Sequence, residues 1–479
     1  MNLPAIVWFR QDLRLDDNPA LHAAVDSGSP VIPVYIWSPD EEGKWCPGSA
    51  SRYWLYHALK NMNNDLQEKN SGLILLHGPC LEALQILIRK TGANKIYWNR
   101  CYEPFAIKRD KRIKSMMREQ GIEVNSFNSH LLYEPHAIRN KQGGPFKVYT
   151  PFWKHYQALD MPFPVKTPER IISPGRWPES VHINEFGFFP EIKWYETINK
   201  TWKISCQGAD ERISTFIKSH VHGYSQTRDY PASEGVSHIS PYLHFGQISV
   251  RRIWHRLLEH ERKQGRMTPG KAVITYMKQL VWREFAYHLL YHFPQSANQP
   301  LYEKYKRFPW QNNRKFLKVW QQGKTGFPVV DAGMRELWQT GWMHNRVRMI
   351  VASFLTKDLL IHWRQGARWF WDTLVDADLA NNTLGWQWVA GCGADAAPYY
   401  RIFNPVTQGE RFDPEGEYVR QWLPELSGLD NKYVHKPWQA SDSILSNAGI
   451  KLGNTYPYPI VDHAEARKLA LSYYQRIKN

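Results

Sequence analysis

The chain has 479 residues, 43% hydrophobic and 22% charged, enough for two cores, and no apolar run long enough for a membrane span, which excludes an integral membrane protein. Its formal charge of +16 and pI near 9.4 point to an anionic partner, for which nucleic acid is the usual choice, and 22 tryptophans offer faces on which unpaired bases stack. Cys46, Cys80, Cys101, Cys206 and Cys392 form no C-x-x-C pair, which argues against a disulfide framework and a cysteine-held metal. No metal site is read from the sequence, so redox chemistry requires an organic cofactor.

The N-terminal third alternates short apolar runs with helical patterns. AIVWF precedes NPALHAAVDSG, VIPVYIW precedes SRYWLYHALKNMNNDLQEK, GLILLHG precedes LEALQILIRKTG, and KIYWNR precedes FAIKRDKRIKSMMREQG, with IEVNSF last. This order predicts a doubly wound α/β domain over 1–132, with a parallel sheet covered on both faces. The first run has the length and β-branching of a buried strand rather than of a signal segment, so a cytoplasmic protein is expected, on the nucleoid if the cell is bacterial. No G-x-G-x-x-G follows the first strand, so the usual dinucleotide turn is unsupported. Residues 133–204, rich in proline and glycine, read as an interdomain linker. Residues 205–479 carry periodic helical runs, among them AVITYMKQLVWREFAYHLLYHF and RVRMIVASFLTKDLLIHW, and are expected to form a larger all-α domain.

Four long blocks, WFRQDLRLDDNPAL (8–21), WREF (282–285), GWMHNRVRMIVASFLTKDLL (341–360) and DADLANNTLGWQWVAGCGADAAPYYRIFNP (376–405), occur in order and together closely resemble the photolyase and cryptochrome family. Within it they are most similar to the class I enzymes acting on cyclobutane pyrimidine dimers. The resemblance implies an α/β antenna domain and a helical domain that holds FAD beneath a DNA-facing cavity. It also implies blue-light-driven dimer repair in DNA by a carbon–carbon lyase: the excited reduced cofactor, FADH⁻, lends an electron that returns after ring opening. Base flipping is a known property of photolyases, so the resemblance further implies that the lesion leaves the duplex for that cavity. The enzyme is expected as a monomer whose partner is ultraviolet-damaged DNA.

The resemblance assigns roles residue by residue. EGVSHISPYL (234–243) matches the loop at the FAD phosphates, giving Val236, Ser237, His238, Ile239 and Ser240 as cofactor contacts; Val236 stands where the family usually has Thr. Glycine followed by serines at a helix start would aim N–H groups and hydroxyls at an anion, and the same pattern is also an ordinary N-cap. Tyr224 matches a flavin-side tyrosine, Arg283 in WREF and the Arg348–Asp376 pair also lie at the cofactor, and Asp378 and Asn382 match its polar edge. DADLANN alone equally reads as a helix start capped by Asp. Trp310, Trp363 and Trp386 match an electron relay from surface to flavin. Trp282 and Trp388 match the aromatic pair against the flipped dimer, with Asn345, Met349 and Gln279 completing that pocket. Asn345 and Met349, four apart in a helical run, share a face. Arg228, Arg346 and Arg401 match arginines near DNA, where a charged fork suits a phosphate.

Two details bear on subtype. The (6-4) photolyases have histidines where this chain has Asn345 and Met349, so their proton donor is missing and cyclobutane dimers are favoured. The cyclobutane enzymes usually carry Glu where Gln279 stands, and Gln hydrogen-bonds without supplying a proton. Glu103 matches an antenna contact, but the chromophore, methenyltetrahydrofolate or a deazaflavin, stays open: the folate-type Cys-Lys pair is not apparent after WREF, and Cys101 replaces an acidic residue common in deazaflavin binders. A cryptochrome-type photosensor, a (6-4) photolyase and a non-catalytic nucleic-acid-binding module are the competing readings.

Overall fold

The computed structural model describes residues 2–189, 193–396 and 400–478. Five parallel strands, β1 (Ala5–Phe9), β2 (Val31–Trp37), β3 (Ile74–His77), β4 (Lys95–Asn99) and β5 (Glu123–Phe127), form one sheet in the order β3-β2-β1-β4-β5. Ala5 sits beside Val31 on one side and Lys95 on the other. Both central strands β1 and β2 are buried at every position, because helices α1 (Pro19–Asp26), α2 (Ser49–Gln67), α3 (Cys80–Thr91) and α4 (Pro104–Glu119) cover both faces, and that is why their sequences are continuously apolar. Pro33 is tolerated within β2 because β3 pairs only from Val34 onward, so the sheet ladder does not need the N–H that proline lacks.

The block 8–21 lies at the joint between the two halves. Leu13 N–H donates to the Phe245 carbonyl at 3.1 Å, and Arg14, 2% exposed, donates to the Gly246 carbonyl at 2.8 Å. Buried Asp17 accepts from Arg251 at 3.1 Å, and Asp16 pairs with Arg252. Gly246, with φ +68°, comes so close that a Cβ there would stand 2.1 Å from the Gln11 carbonyl, so no other residue fits without moving the joint. On the other flank, Ser49 N–H donates to the Asp372 carboxylate at 2.9 Å. Residues 133–204 contain packed structure: helix α5 (Tyr149–Tyr156) buries Tyr149, Phe152, Trp153 and Tyr156 against the helical half.

The helical half is organised around α6 (Val250–Lys263) and α7 (Lys271–His292). Along the first half of α7, Val273, Tyr276, Met277, Leu280 and Val281 are buried, the three- and four-residue spacing of one helix face, whereas residues 283–290 are buried on every side. The run 346–363, periodic enough to read as one helix, is two: α8 (Asn345–Ser353) passes into a π-helical turn (Phe354–Asp358), and Leu360 takes φ +52°. His362 then accepts from Arg364 N–H at 3.1 Å and opens α9 (Trp363–Thr373). The break follows from a left-handed residue that an α-helix cannot continue through. It is followed by α10 (Leu379–Ala390), which packs on α7 and α9.

Candidate active site

The residues expected at the cofactor come from five segments. Asp376, just before α10, accepts from Arg348 of α8 at 2.9 Å and from the Ser240 hydroxyl at 2.5 Å on one oxygen. Its other oxygen, Oδ1, is buried without a protein partner. Arg348 is held in turn by the Met343 carbonyl at 2.7 Å, and Trp342 Nε1 donates to Ser240 at 3.3 Å. Ser240 opens a short helix (Ser240–His244), preceded by buried Ile239. His238 adopts φ +51° with its ring 4.4 Å from Trp342. Burial, aided by Arg212, pushes the His238 imidazole down to about 4, so it is neutral at pH 7. A positive φ on a bulky residue is strain that the surroundings must impose, and such strain clusters at ligand clamps. Val236 packs on the core, and the Ser237 hydroxyl accepts from Tyr276 at 3.0 Å. Tyr224 is buried edge-on to Tyr276 at 5.2 Å.

Asp378 caps α10, accepting from Asn381 N–H at 2.8 Å. The cap is 5% exposed rather than solvated. Its second oxygen accepts from Tyr287, and His244 stands 3.6 Å away. Burial works to raise this carboxyl, but His244, Arg283 and Tyr287 outweigh it and hold it well below the usual range. Arg283 donates to the His130 carbonyl at 2.8 Å, and His130 meets Tyr287 at 2.7 Å. Arg283 and Asp378 are thereby the two ends of one buried polar network running from α7 to α10, in which His130, Tyr287 and His244 carry no sequence signal of their own. Asn382, one turn on, donates to the Ala367 carbonyl at 3.0 Å, leaving its amide oxygen as an acceptor. Gly385, three further along the same face, has no heavy atom within 4 Å of where a Cβ would stand, open space in the middle of a helix.

A second group forms an aromatic wall. Trp282 lies flat on Tyr149 of α5, with centroids 3.7 Å apart and planes at 7°, and Tyr149 N–H reaches Asp395 Oδ1 at 3.4 Å. Trp388 Nε1 donates to the Asp395 carbonyl at 3.0 Å, so Asp395, at φ +54°, ties both tryptophans to one residue. Tyr149 and Asp395 escaped the sequence reading because one lies in the proline-rich segment and the other is a lone loop acid. Arg401 lies over Trp388 at 5.4 Å. The Asn345 amide touches Met349 Sδ at 3.9 Å, so this pair faces together. Gln279, one turn before Trp282, donates back to the Thr275 carbonyl at 3.2 Å. Asp229 gathers Arg346 at 2.9 Å and Arg228 at 3.8 Å, and Arg346 also lies 4.3 Å over Phe412.

Of the three relay tryptophans, Trp310 is partly buried and packs on Phe308 at 4.4 Å and His362 at 5.1 Å, and His362 stands 5.6 Å from buried Trp363. Trp386 meets Phe370 at 5.0 Å and Trp320 at 6.2 Å. No ring contact among the described residues joins Trp363 to Trp386; both meet α9, at Trp363 itself and at Gly366, where a Cβ would stand 2.0 Å from the Trp386 ring. Glu103 is 3% exposed at the start of α4, with Gln11 donating to one oxygen at 2.9 Å and the other unpartnered. Burial raises its carboxyl against the Gln11 hydrogen bond.

A molecule with a five-stranded parallel sheet and a helical half that carries an acid–arginine cluster and an aromatic wall matches two family models, DNA photolyase over residues 5–169 and the FAD-binding domain of DNA photolyase over 276–476. The chain is 46% identical to the deoxyribodipyrimidine photo-lyase of Agrobacterium fabrum, over 99% of this chain and 98% of that one. It is 41% identical to cryptochrome-1 of Arabidopsis thaliana, over 97% of this chain and 69% of that one. Its structure superposes on the crystal structure of a bacterial class III photolyase from Agrobacterium tumefaciens with a TM-score of 0.96 at 45% identity, covering 100% of this chain and 98% of that one. The chain belongs to the photolyase/cryptochrome family and carries that family's FAD-binding domain. The residues present fit a flavin nucleotide: an unpartnered buried carboxylate oxygen on Asp376 awaits an N–H donor, and the bare face of Gly385 leaves room for a flat ring. Among the described residues no helix is long and apolar enough to cross a membrane.

Proposed function

We propose that this chain is a DNA repair enzyme that uses blue light to split cyclobutane pyrimidine dimers. The observation that carries the proposal is the wall in which Trp282, flat on Tyr149, and Trp388, under Arg401, are tied to Asp395. Two indoles fixed by a common anchor offer stacking faces to paired bases that have left the duplex. Bound FAD supplies light absorption and one-electron chemistry. Asp376, paired with Arg348 and oriented by Ser240, would accept from an N–H of the flavin ring, and Asn382 would meet its polar edge. Ser237, His238 and Ser240 would hold the phosphate side. The Asp378 network sets the start of α10 and with it the positions of Asn382, Trp386 and Trp388. Arg228 and Arg346 on Asp229, with Arg401, would meet the DNA backbone, phosphate contacts that position without reading sequence. The Asn345–Met349 pair lines the pocket with groups that give no proton, which favours cyclobutane dimers over (6-4) lesions. The 45% identity to a class III photolyase favours that class over class I.

The test exposes oligonucleotides carrying one defined cyclobutane thymine dimer to the reduced protein, in blue light and in darkness, beside a (6-4) oligonucleotide. Light-dependent restoration of thymines on the first substrate alone supports the proposal. The similarity to cryptochrome-1 favours a second reading, a photosensor. Flavin-loaded protein that restores neither lesion would select it.

A further inference from the structure

Away from the site, the turn Val221–Gly223 meets the end of α6. His222 Nε2 and His260 Nε2 face each other at 3.1 Å, and Glu261 Oε1 lies 3.9 Å from His222 Nε2. One ligand atom from each of the three lies within 4.8 Å of the other two. The Glu261 side chain is 1% exposed; its other oxygen accepts from Gly270 N–H at 2.5 Å. We propose that His222, His260 and Glu261 form a binding site for a divalent transition-metal cation of the zinc type. Two imidazole nitrogens and one carboxylate oxygen are a zinc donor set, and imidazole discriminates against magnesium and calcium, which take oxygen. Zinc–nitrogen distances near 2.0 Å put two tetrahedral nitrogen ligands about 3.3 Å apart, so the facing pair needs to open only slightly. The half-exposed side of His222 leaves a fourth position for water.

Arg266 is the group that occupies this space. It donates to Glu261 Oε1 at 3.0 Å and stands 3.4 Å from His222 Nδ1. Its side chain is 48% exposed and free to swing outward, so it acts as a competitor that lowers affinity rather than as a fixed plug. The location gives the cation a structural consequence. His222 is two residues before Tyr224 and six before Arg228, and the Gly270 N–H held by Glu261 opens α7, which carries Gln279 and Trp282. A bound cation would brace the entry to both the flavin and the substrate walls. Nothing in the sequence signals this, because His222 is 38 residues from its partner histidine and no spacing motif joins them.

The test uses untagged, flavin-bound protein, stripped by dialysis against a chelator and titrated with Zn²⁺ in competition with a chromophoric chelator of micromolar affinity. The parent is expected to take one more equivalent than His222→Gln and His260→Gln, to gain Tm with added Zn²⁺ where the variants do not, and to bind several-fold more weakly than Arg266→Gln. Equal uptake by parent and both histidine variants, or none by the parent, would overturn the proposal. Cobalt substitution of the parent reads the site without any variant. The intense visible bands of a four-coordinate ion support it, and a purely six-coordinate spectrum refutes it.

Discussion

Replacing Asp376 by Ala tests the cofactor side of the proposed site most directly. The carboxylate is 4% exposed and its partner Arg348 24% exposed, so the change strands a largely buried guanidinium and the Ser240 hydroxyl together. Breaking a buried ion pair costs about 3–5 kcal/mol. Arg348 retains some water and the Met343 carbonyl at 2.7 Å, which reduces the expected loss of stability to about 2–3 kcal/mol. The loss of Oδ1 removes in addition a charge-assisted acceptor for the flavin, about 1.5–3 kcal/mol, or roughly ten- to a hundredfold in flavin affinity. Asp376→Asn keeps an acceptor without the charge and should fall between. The assay is flavin retention by absorbance across a dilution series, alongside thermal unfolding of the flavin-free protein. Removing Arg348 as well should cost less than the sum of the two single changes, because no orphan charge remains. If Asp376→Ala binds flavin as the parent does, the carboxylate does not face the cofactor, and the assignment of this cluster fails.

Trp282→Ala removes the ring stacked on Tyr149 and should weaken binding of a dimer-bearing oligonucleotide by at least about fivefold, from about 1–3 kcal/mol of stacking per base, with little change for intact DNA; a gel-shift titration checks both. Gly366→Ala drives a Cβ to 2.0 Å from the Trp386 ring and should cost about 1–3 kcal/mol by overpacking while slowing light-driven reduction of the bound flavin, followed by absorbance under steady illumination. Glu284 is buried on α7 with its carboxyl raised to about 7, burial outweighing Arg283 and the donors Leu132, Tyr133 and Tyr156. Between pH 4.5 and 7 the native state therefore holds more protons than the unfolded chain, and stability falls as pH rises through that window. Glu284→Gln should flatten this fall, measured as Tm against pH.

How much of this molecule the sequence discloses depends on whether the interaction is periodic, local or distant. The sheet is legible because β1 and β2 are buried on both faces and must be apolar throughout, and the first half of α7 because its buried positions recur at helical spacing. The break at Leu360 is illegible because the apolar period runs through it unchanged; only a π-turn and one left-handed residue, neither with a composition signal, redirect the chain so that Trp363 starts a new helix. The block 8–21 illustrates a different limit. Resemblance marks it, yet its Arg14, Asp16 and Asp17 act on Gly246, Arg252 and Arg251, more than two hundred residues away, and no pattern within the block names those partners. The candidate site shows both cases at once. Asp376, Asn382 and Trp388 are recognised together because they lie within one short motif, whereas of the residues that fix how Trp282 and Trp388 stand, Tyr149 comes from a segment that reads as connection and Asp395, though inside the same block, carries no role that the block's pattern names. A stacking wall requires rigid backing, and backing is recruited from whatever chain passes behind it. The residues that hold a reactive group in place are for that reason less visible in a sequence than the group itself.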